Sequence, residues 1–145
     1  MFERILIVCT GNICRSPMAE ALMRRQMDES GRTVQVRSAG VGALEDQPAD
    51  PPTQALMRTR GIDLSAHRAR QLTPALARWA DLILVMESYQ RDALLDIDPT
   101  ARGKTYLLGH WAGKEVPDPY RQPEEHYNHA LKLIEEGLGT WRGKL

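Results

Sequence analysis

Cysteine is scarce in this 145-residue chain: only Cys9 and Cys14 are present. Two thiols are too few for a disulfide framework or a four-cysteine zinc site, and a reducing compartment keeps them free. Net charge is absent as well, with 19 Lys plus Arg against 19 Asp plus Glu. No global field therefore draws the chain to nucleic acid or to an anionic membrane, and recognition by charge has to be local. No apolar run approaches the roughly 18 residues of a membrane span. From Met1 the sequence passes into a strand-like segment without a signal-peptide pattern, so a cytoplasmic protein without membrane insertion is expected. Internal repeats, low-complexity tracts and interdomain linkers are missing too. With 42% hydrophobic residues, the composition is that of one globular domain spanning residues 1–145.

What is present alternates between strand and helix patterns. Residues 5–8 (Ile-Leu-Ile-Val) and 82–86 (Leu-Ile-Leu-Val-Met) are unbroken apolar runs, as expected of strands covered on both faces in a parallel sheet. Residues 34–38 and 104–108 are of mixed polarity and read as edge strands. Ala19, Leu22, Met23 and Met27 share one helical face, as do Tyr127, Ala130, Leu131, Ile134, Leu138 and Trp141. Shorter helices are predicted over residues 52–60, 74–79 and 89–95. The alternation predicts a doubly wound α/β fold, with Pro-containing stretches at 45–52 and 114–123 as long loops of the kind that carry function.

Directly after the first strand stands Cys9-Thr10-Gly11-Asn12-Ile13-Cys14-Arg15-Ser16, then Pro17 and an amphipathic helix. A strand-to-helix loop at the carboxyl edge of an α/β sheet aims backbone N–H groups and a positive helix end at its contents. Gly11 and Asn12 tolerate left-handed dihedrals and let the amides curl inward as a nest, while Ser16 is expected to cap the helix and Pro17 suits its first turn. The five residues between Cys9 and Arg15 wind once around a tetrahedral anion, leaving the sulfur beneath phosphorus and the guanidinium fork beside two oxygens. Converging N–H dipoles and Arg15 favour the Cys9 thiolate. A nucleophile and its oxyanion cradle thus share one segment, whereas the Gly-Lys-Ser/Thr ending of a Walker nucleotide loop is absent.

Expelling a phenolate calls for a proton donor. Three Asp-Pro pairs offer one, at Asp50, Asp98 and Asp118, each Asp biased to an extended conformation by its proline. Asp98 follows a helix and leads into the last strand, at the wrong edge of the sheet. Asp50 precedes Pro51-Pro52-Thr53 and reads as a helix cap. Asp118, in Asp118-Pro119-Tyr120 within a long loop, has no such structural explanation and is the favoured acid. The sequence of steps expected is attack by Cys9, protonation of the leaving group by Asp118, and hydrolysis of the thiophosphate by a water that Asp118 deprotonates, with no metal and no cofactor.

The segment from Cys9 to Ser16, the Asp118-Pro119-Tyr120 loop and the order of elements resemble the low-molecular-weight protein tyrosine phosphatases over essentially the whole chain. The resemblance implies a four-stranded parallel sheet in the order 2-1-3-4 with helices on both faces. It further implies Cys9 as nucleophile, Arg15 as phosphate-binding arginine and Asp118 as proton donor. Thr10, Gly11, Asn12, Ile13 and Cys14 would form the cradle, Ser16 would hydrogen-bond the thiolate, and Ser38 and His67 would hold Asn12 in its strained conformation. Cys14 is similar to the second cysteine of the family, which forms a reversible disulfide with the nucleophile. Eukaryotic members place an aromatic residue where Ala43-Leu44 stand here, so Leu44 and Tyr120 are expected to grip the substrate ring. Arg121 replaces the second tyrosine after Asp-Pro-Tyr. With Gly109-His110-Trp111, the chain is similar to the bacterial subgroup that acts on tyrosine autokinases of capsule or exopolysaccharide export, which implies a phosphotyrosine protein as partner. An arsenate reductase on the same fold would need further cysteines, and a phosphotyrosine-binding module would not need Asp118. His126 and His129 stand three apart on the last helix without a third ligand and read as a solvated face.

Overall fold

The computed structural model describes residues 2–145. Four parallel strands, β1 (Arg4–Cys9), β2 (Gln35–Gly40), β3 (Leu82–Val85) and β4 (Thr105–Leu107), form one sheet in the order β2-β1-β3-β4. Five α-helices accompany them: α1 (Arg15–Glu29), α2 (Pro51–Arg58), α3 (Pro74–Trp79), α4 (Ser88–Ile97) and α5 (Glu124–Trp141). The unbroken apolar runs are the two central strands because side chains alternate across a sheet and both faces are covered. Ile5, Ile7 and Cys9, with Leu82, Leu84 and Met86, pack under α1 and α5 against Met18, Met23, Leu131 and Ile134. Leu6 and Val8, with Ile83 and Val85, pack on the other face against Ala77 of α3 and Leu94 and Leu95 of α4. The sheet is therefore doubly wound, as expected.

The edges differ from expectation in register. β2 starts and ends later than predicted because Ala39 and Gly40 pair with Val8 and Cys9; small residues with little intrinsic strand preference are recruited by the ladder of β1. β4 shrinks to Thr105–Leu107, preceded by a 3₁₀ segment over Pro99–Lys104. Asp98 caps that segment, accepting from the Thr100 amide at 3.1 Å. It lies at the amino ends of the strands, away from Cys9. Among the described residues no helix is long and apolar enough to cross a membrane.

All connections that leave the carboxyl edge converge on one rim. Residues 10–14 follow β1, residues 41–50 follow β2, Met86 and Glu87 follow β3, and the irregular stretch 114–123 lies beyond β4. Gly40 sits where two of them touch. A Cβ there would lie 2.3 Å from the Thr10 carbonyl oxygen and 3.1 Å from the Asn12 amide nitrogen. Gly40→Ala is expected to push the 10–12 segment aside and to cost about 1–3 kcal/mol of stability. Urea denaturation, together with loss of phosphate affinity, measures both effects.

Candidate active site

The segment after β1 closes into a bowl because Asn12 adopts the left-handed conformation, φ 60°. Gly11 does not share that conformation, so the turn rests on Asn12 alone. A non-glycine residue pays about 1–2 kcal/mol to sit there, and Asn12 is held by four hydrogen bonds. Its carbonyl accepts from His67 Nε2 at 2.7 Å, its Oδ1 from the Arg70 amide at 2.9 Å, and its Nδ2 donates to Ser16 Oγ at 2.7 Å and Ser38 Oγ at 3.0 Å. Ser38 in turn donates to Glu20 at 2.7 Å. Ser38 and His67, expected to support Asn12, both lie within hydrogen-bond distance of it.

The Cys9 sulfur occupies the floor. Ser16 Oγ lies 2.9 Å from it and the Asn12 amide 3.3 Å. Because Ser16 already accepts from Asn12, its own hydrogen is free for the sulfur. The expected N-cap role of Ser16 is therefore corrected: α1 begins at Arg15, the cap position is Cys14 and no side chain caps it. The serine hydroxyl is engaged by the Cys9 sulfur and the Asn12 side chain instead.

Arg15 spans the bowl although only 1% of it is exposed. Its Nη1 donates to the Glu87 carboxylate and, at 2.8 Å, to the Val116 carbonyl; its Nη2 lies 3.8 Å from Asp118 Oδ2. Burial alone would lower its pKa, but Cys9, Glu87 and Asp118 outweigh burial and hold the guanidinium charged. Arg15 Nε has no protein partner and leaves one fork donor available to an oxyanion. Asp118, 45% exposed, hangs at the mouth. Its Oδ1 accepts from the Tyr120 amide at 3.0 Å, so one carboxylate carries both the Asx turn and an oxygen directed at Arg15. A cavity of about 170 Å³ stands above the sulfur, lined by Cys9, Thr10, Gly11, Ile13, Cys14, Arg15, Gly42, Leu44, Asp118 and Tyr120. Both predicted ring contacts, Leu44 and Tyr120, are at its rim. Arg121 lies with φ 62° and its guanidinium 5.1 Å from the Tyr120 ring centroid.

Three residues that the sequence reading missed hold Arg15 and Thr10 from behind the cavity lining. Glu87 is the anionic partner of Arg15, Tyr89 reaches Thr10 Oγ1 with its hydroxyl, and Gln90 Nε2 donates to Thr10 Oγ1 at 3.0 Å. Gln90 Oε1 also accepts from the Met86 and Glu87 amides, both at 2.9 Å, locking the turn that presents Glu87. The available signal was positional: Glu87 immediately follows the apolar run 82–86, at the same sheet edge as Cys9.

Asp50 requires a further correction. It occupies the N-cap position of α2 but makes no side-chain cap bond. Pro51 and Pro52 at the first two helical positions have no N–H to be capped. Its Oδ2 instead accepts from the Tyr127 hydroxyl and from the Cys14 thiol at 3.5 Å. Cys14 and Cys9 are both free thiols. Burial, then the Asp50 charge, pushes the Cys14 thiol far above its ordinary value, and burial with the Asp50 hydrogen bond does the same to Tyr127. His126 and His129 are exposed on α5, and among the described residues no three His, Cys, Asp or Glu side chains gather as metal ligands.

These raised values set a sign for stability against pH. The unfolded chain releases the Cys14 proton near its ordinary value of 9.0, whereas the folded chain retains it. The contribution is complete below about pH 9 and is lost as pH rises, with a slope approaching about 1.4 kcal/mol per pH unit for one group; Tyr127 adds its share above its ordinary 10.0. Urea midpoints should therefore fall between about pH 8 and about pH 10.5, and Cys14→Ser should flatten the first part of that fall. A midpoint that rises over this range would contradict the Asp50–Cys14–Tyr127 arrangement.

Known proteins resemble this chain along its whole length. The sequence profile described as "Low molecular weight phosphotyrosine protein phosphatase" matches residues 4–145. The low molecular weight protein-tyrosine-phosphatase Etp of Escherichia coli K12 is 42% identical over 145 residues, covering 99% of this chain and 95% of its own length. Wzb of Vibrio vulnificus, solved in complex with benzylphosphonate, superposes with a TM-score of 0.94 at 43% identity, with 100% of both chains covered. The arginine phosphatase YwlE superposes at 0.92 with 32% identity, covering 98% of this chain and 95% of its own. A YwlE mutant from Bacillus subtilis superposes with a TM-score of 0.91 at 32% identity, covering 98% of this chain and 97% of its own. With the profile spanning almost every residue and relatives of 42% and 43% identity covered nearly end to end, this chain belongs to the low molecular weight protein-tyrosine-phosphatase family and is a phosphoric monoester hydrolase.

Proposed function

We propose that this enzyme hydrolyses phosphotyrosine in proteins through a phosphocysteine on Cys9. The observation that carries the reading is the Cys9 sulfur at the floor of a bowl, 2.9 Å from Ser16 Oγ and 3.3 Å from the Asn12 amide, beneath a buried arginine and an exposed aspartate. Cys9 thiolate attacks phosphorus in line as the aryl oxygen leaves. Arg15 and the amides of residues 10–16 take up the charge of the equatorial oxygens. Asp118 gives its proton to the leaving phenolate, then removes one from the water that cleaves the S–P bond, regenerating thiolate and releasing phosphate. The entering dianion displaces Asp118 from Arg15 and, as a neighbouring like charge, favours the protonated carboxyl that this step needs. Ser16 stabilises the sulfur anion as it attacks and as it departs.

The walls favour an aromatic ester. Ile13, Leu44 and Tyr120 flank the shaft above the sulfur, a lining suited to a ring and offering no carboxylate beyond Asp118 to a guanidinium. Phosphoarginine, the substrate type named for YwlE, is thus the poorer match. The likeness to Wzb and Etp supports a cytoplasmic role on a tyrosine autokinase of capsule or exopolysaccharide export, with Ser38 and His67 supporting the loop.

Hydrolysis of a small aryl phosphate by wild type, Cys9→Ser and Asp118→Asn tests the mechanism. Cys9→Ser should lose essentially all turnover. Asp118→Asn should lose a factor of about 10²–10⁴ in rate while keeping its phosphate affinity, and a chelator should change nothing. Retained activity in Cys9→Ser would refute the phosphocysteine, and faster release of phosphate from phosphoarginine than from phosphotyrosine peptides would refute the substrate.

A further inference from the structure

We propose that the groove next to the bowl is a subsite for a cationic side chain flanking the phosphotyrosine, so that the enzyme prefers sites with a neighbouring Lys or Arg. This inference rests on the phosphotyrosine reading above and adds a substrate preference to it.

A cavity of about 460 Å³ opens beside the bowl and shares Ile13, Leu44 and Tyr120 with it. A peptide whose phosphotyrosine enters the bowl past Leu44 and Tyr120 has the groove within reach of its flanking side chains. The charged side chains of the groove are Glu45 and Asp50, and no Lys or Arg lines it. Glu45 makes no ion pair among the described residues. Asp50 spends Oδ2 on the Tyr127 hydroxyl and the Cys14 thiol, while its Oδ1 accepts nothing from the described residues. Both donors to Oδ2 are neutral groups, so among the described residues Asp50 has no cationic partner. Arg121, the basic residue next to Tyr120, is stacked on the Tyr120 ring and outside the groove.

The rest of the lining fits the stem of such a residue. Leu44, Pro48 and Pro51 supply apolar surface along which the methylenes of Lys or Arg lie while the head reaches the carboxylates. An acidic flanking residue would meet two uncompensated negative charges instead. The groove is also held in fixed register with the bowl. Leu44 N donates to the Gly11 carbonyl at 3.1 Å and Asp50 N to the Ile13 carbonyl at 2.9 Å, while Asp46 N to Ala69 O and Ala69 N to Gln47 O, both 2.9 Å, tie the strip to the 67–71 segment. A cation bound here is therefore held at a defined offset from the phosphoryl group, which converts charge into sequence preference.

The test compares kcat/KM on phosphotyrosine peptides that carry Lys or Glu at each of the positions adjoining the phosphotyrosine, at low and at high salt. At low salt, Lys at one position should exceed Glu there by about 5-fold or more, the scale of partly exposed ion pairs, and the ratio should shrink as salt rises. Glu45→Gln should lower the ratio, and Glu45→Lys, which sets a cation against Asp50, should bring it to about one. Equal kcat/KM for both peptide series at low salt, or preference for Glu, overturns the subsite while leaving the phosphatase reading intact. Failure to cleave both peptides and a small aryl phosphate overturns both. The comparison of peptides on wild type needs no variant to fold.

Discussion

The site depends on one backbone conformation, the left-handed turn at Asn12. Without it the amides after β1 would run on past the sulfur instead of bending around the space above it. No single bond imposes the turn. His67 takes the carbonyl, Arg70 the side-chain oxygen, and Ser16 and Ser38 the side-chain nitrogen. These partners come from the start of α1, from β2 and from the segment before α3, so the bowl is shaped only after two remote parts of the chain have packed against it. Gly40, forbidden a side chain by the nearby Thr10 carbonyl, is the same constraint seen from β2.

The second requirement is to hold a charge inside the protein. A buried guanidinium is tolerable when it is paired and hydrogen-bonded. Glu87 and the Val116 carbonyl share Nη1, and Asp118 faces Nη2 from the mouth. The partners differ in permanence. Glu87 is tied through Gln90 to the β3–α4 turn, whereas Asp118 belongs to an exposed loop and is free to yield to an oxyanion. The arrangement therefore supplies a fixed counter-charge on one side of Arg15 and a displaceable one on the other, which suits a site that is emptied and refilled in each turnover. The same loop continues into Tyr120, so Asp118 and one wall of the shaft are carried by one stretch of chain. Beyond that wall the carboxylates of Glu45 and Asp50 line the adjoining groove.

Much of this was legible before folding. The two apolar runs identified the central strands because burial on both faces removes polar residues, and the segment from Cys9 to Ser16 announced an anion cradle because its residue types satisfy several independent demands at once. Elimination among the three Asp-Pro pairs brought forward Asp118, and the rim did receive it. The misreadings were those of short polar side chains with more than one outlet. Ser16 and Asp50 both fit the sequence pattern of helix caps, yet one is engaged by a sulfur and an asparagine and the other by a tyrosine and a thiol. Local pattern lists the bonds such a residue is able to make, and the competition between them is decided by atoms far away in sequence. Glu87 was missed for the complementary reason: an acidic residue after a strand is ordinary until a buried guanidinium lies opposite it.

What the sequence by itself determined was the doubly wound sheet, its central strands, and the pairing of a thiol with a guanidinium in one short loop, since these follow from periodicity and from residues close together in the chain. Only the tertiary structure decided that Asn12 alone turns the loop, that Glu87 balances Arg15, that Asp50 serves Cys14 and Tyr127, and that a carboxylate-lined groove adjoins the bowl. Each of these joins segments separated by tens of residues, and the free energy of such contacts exists only once the sheet has brought its carboxyl edge together.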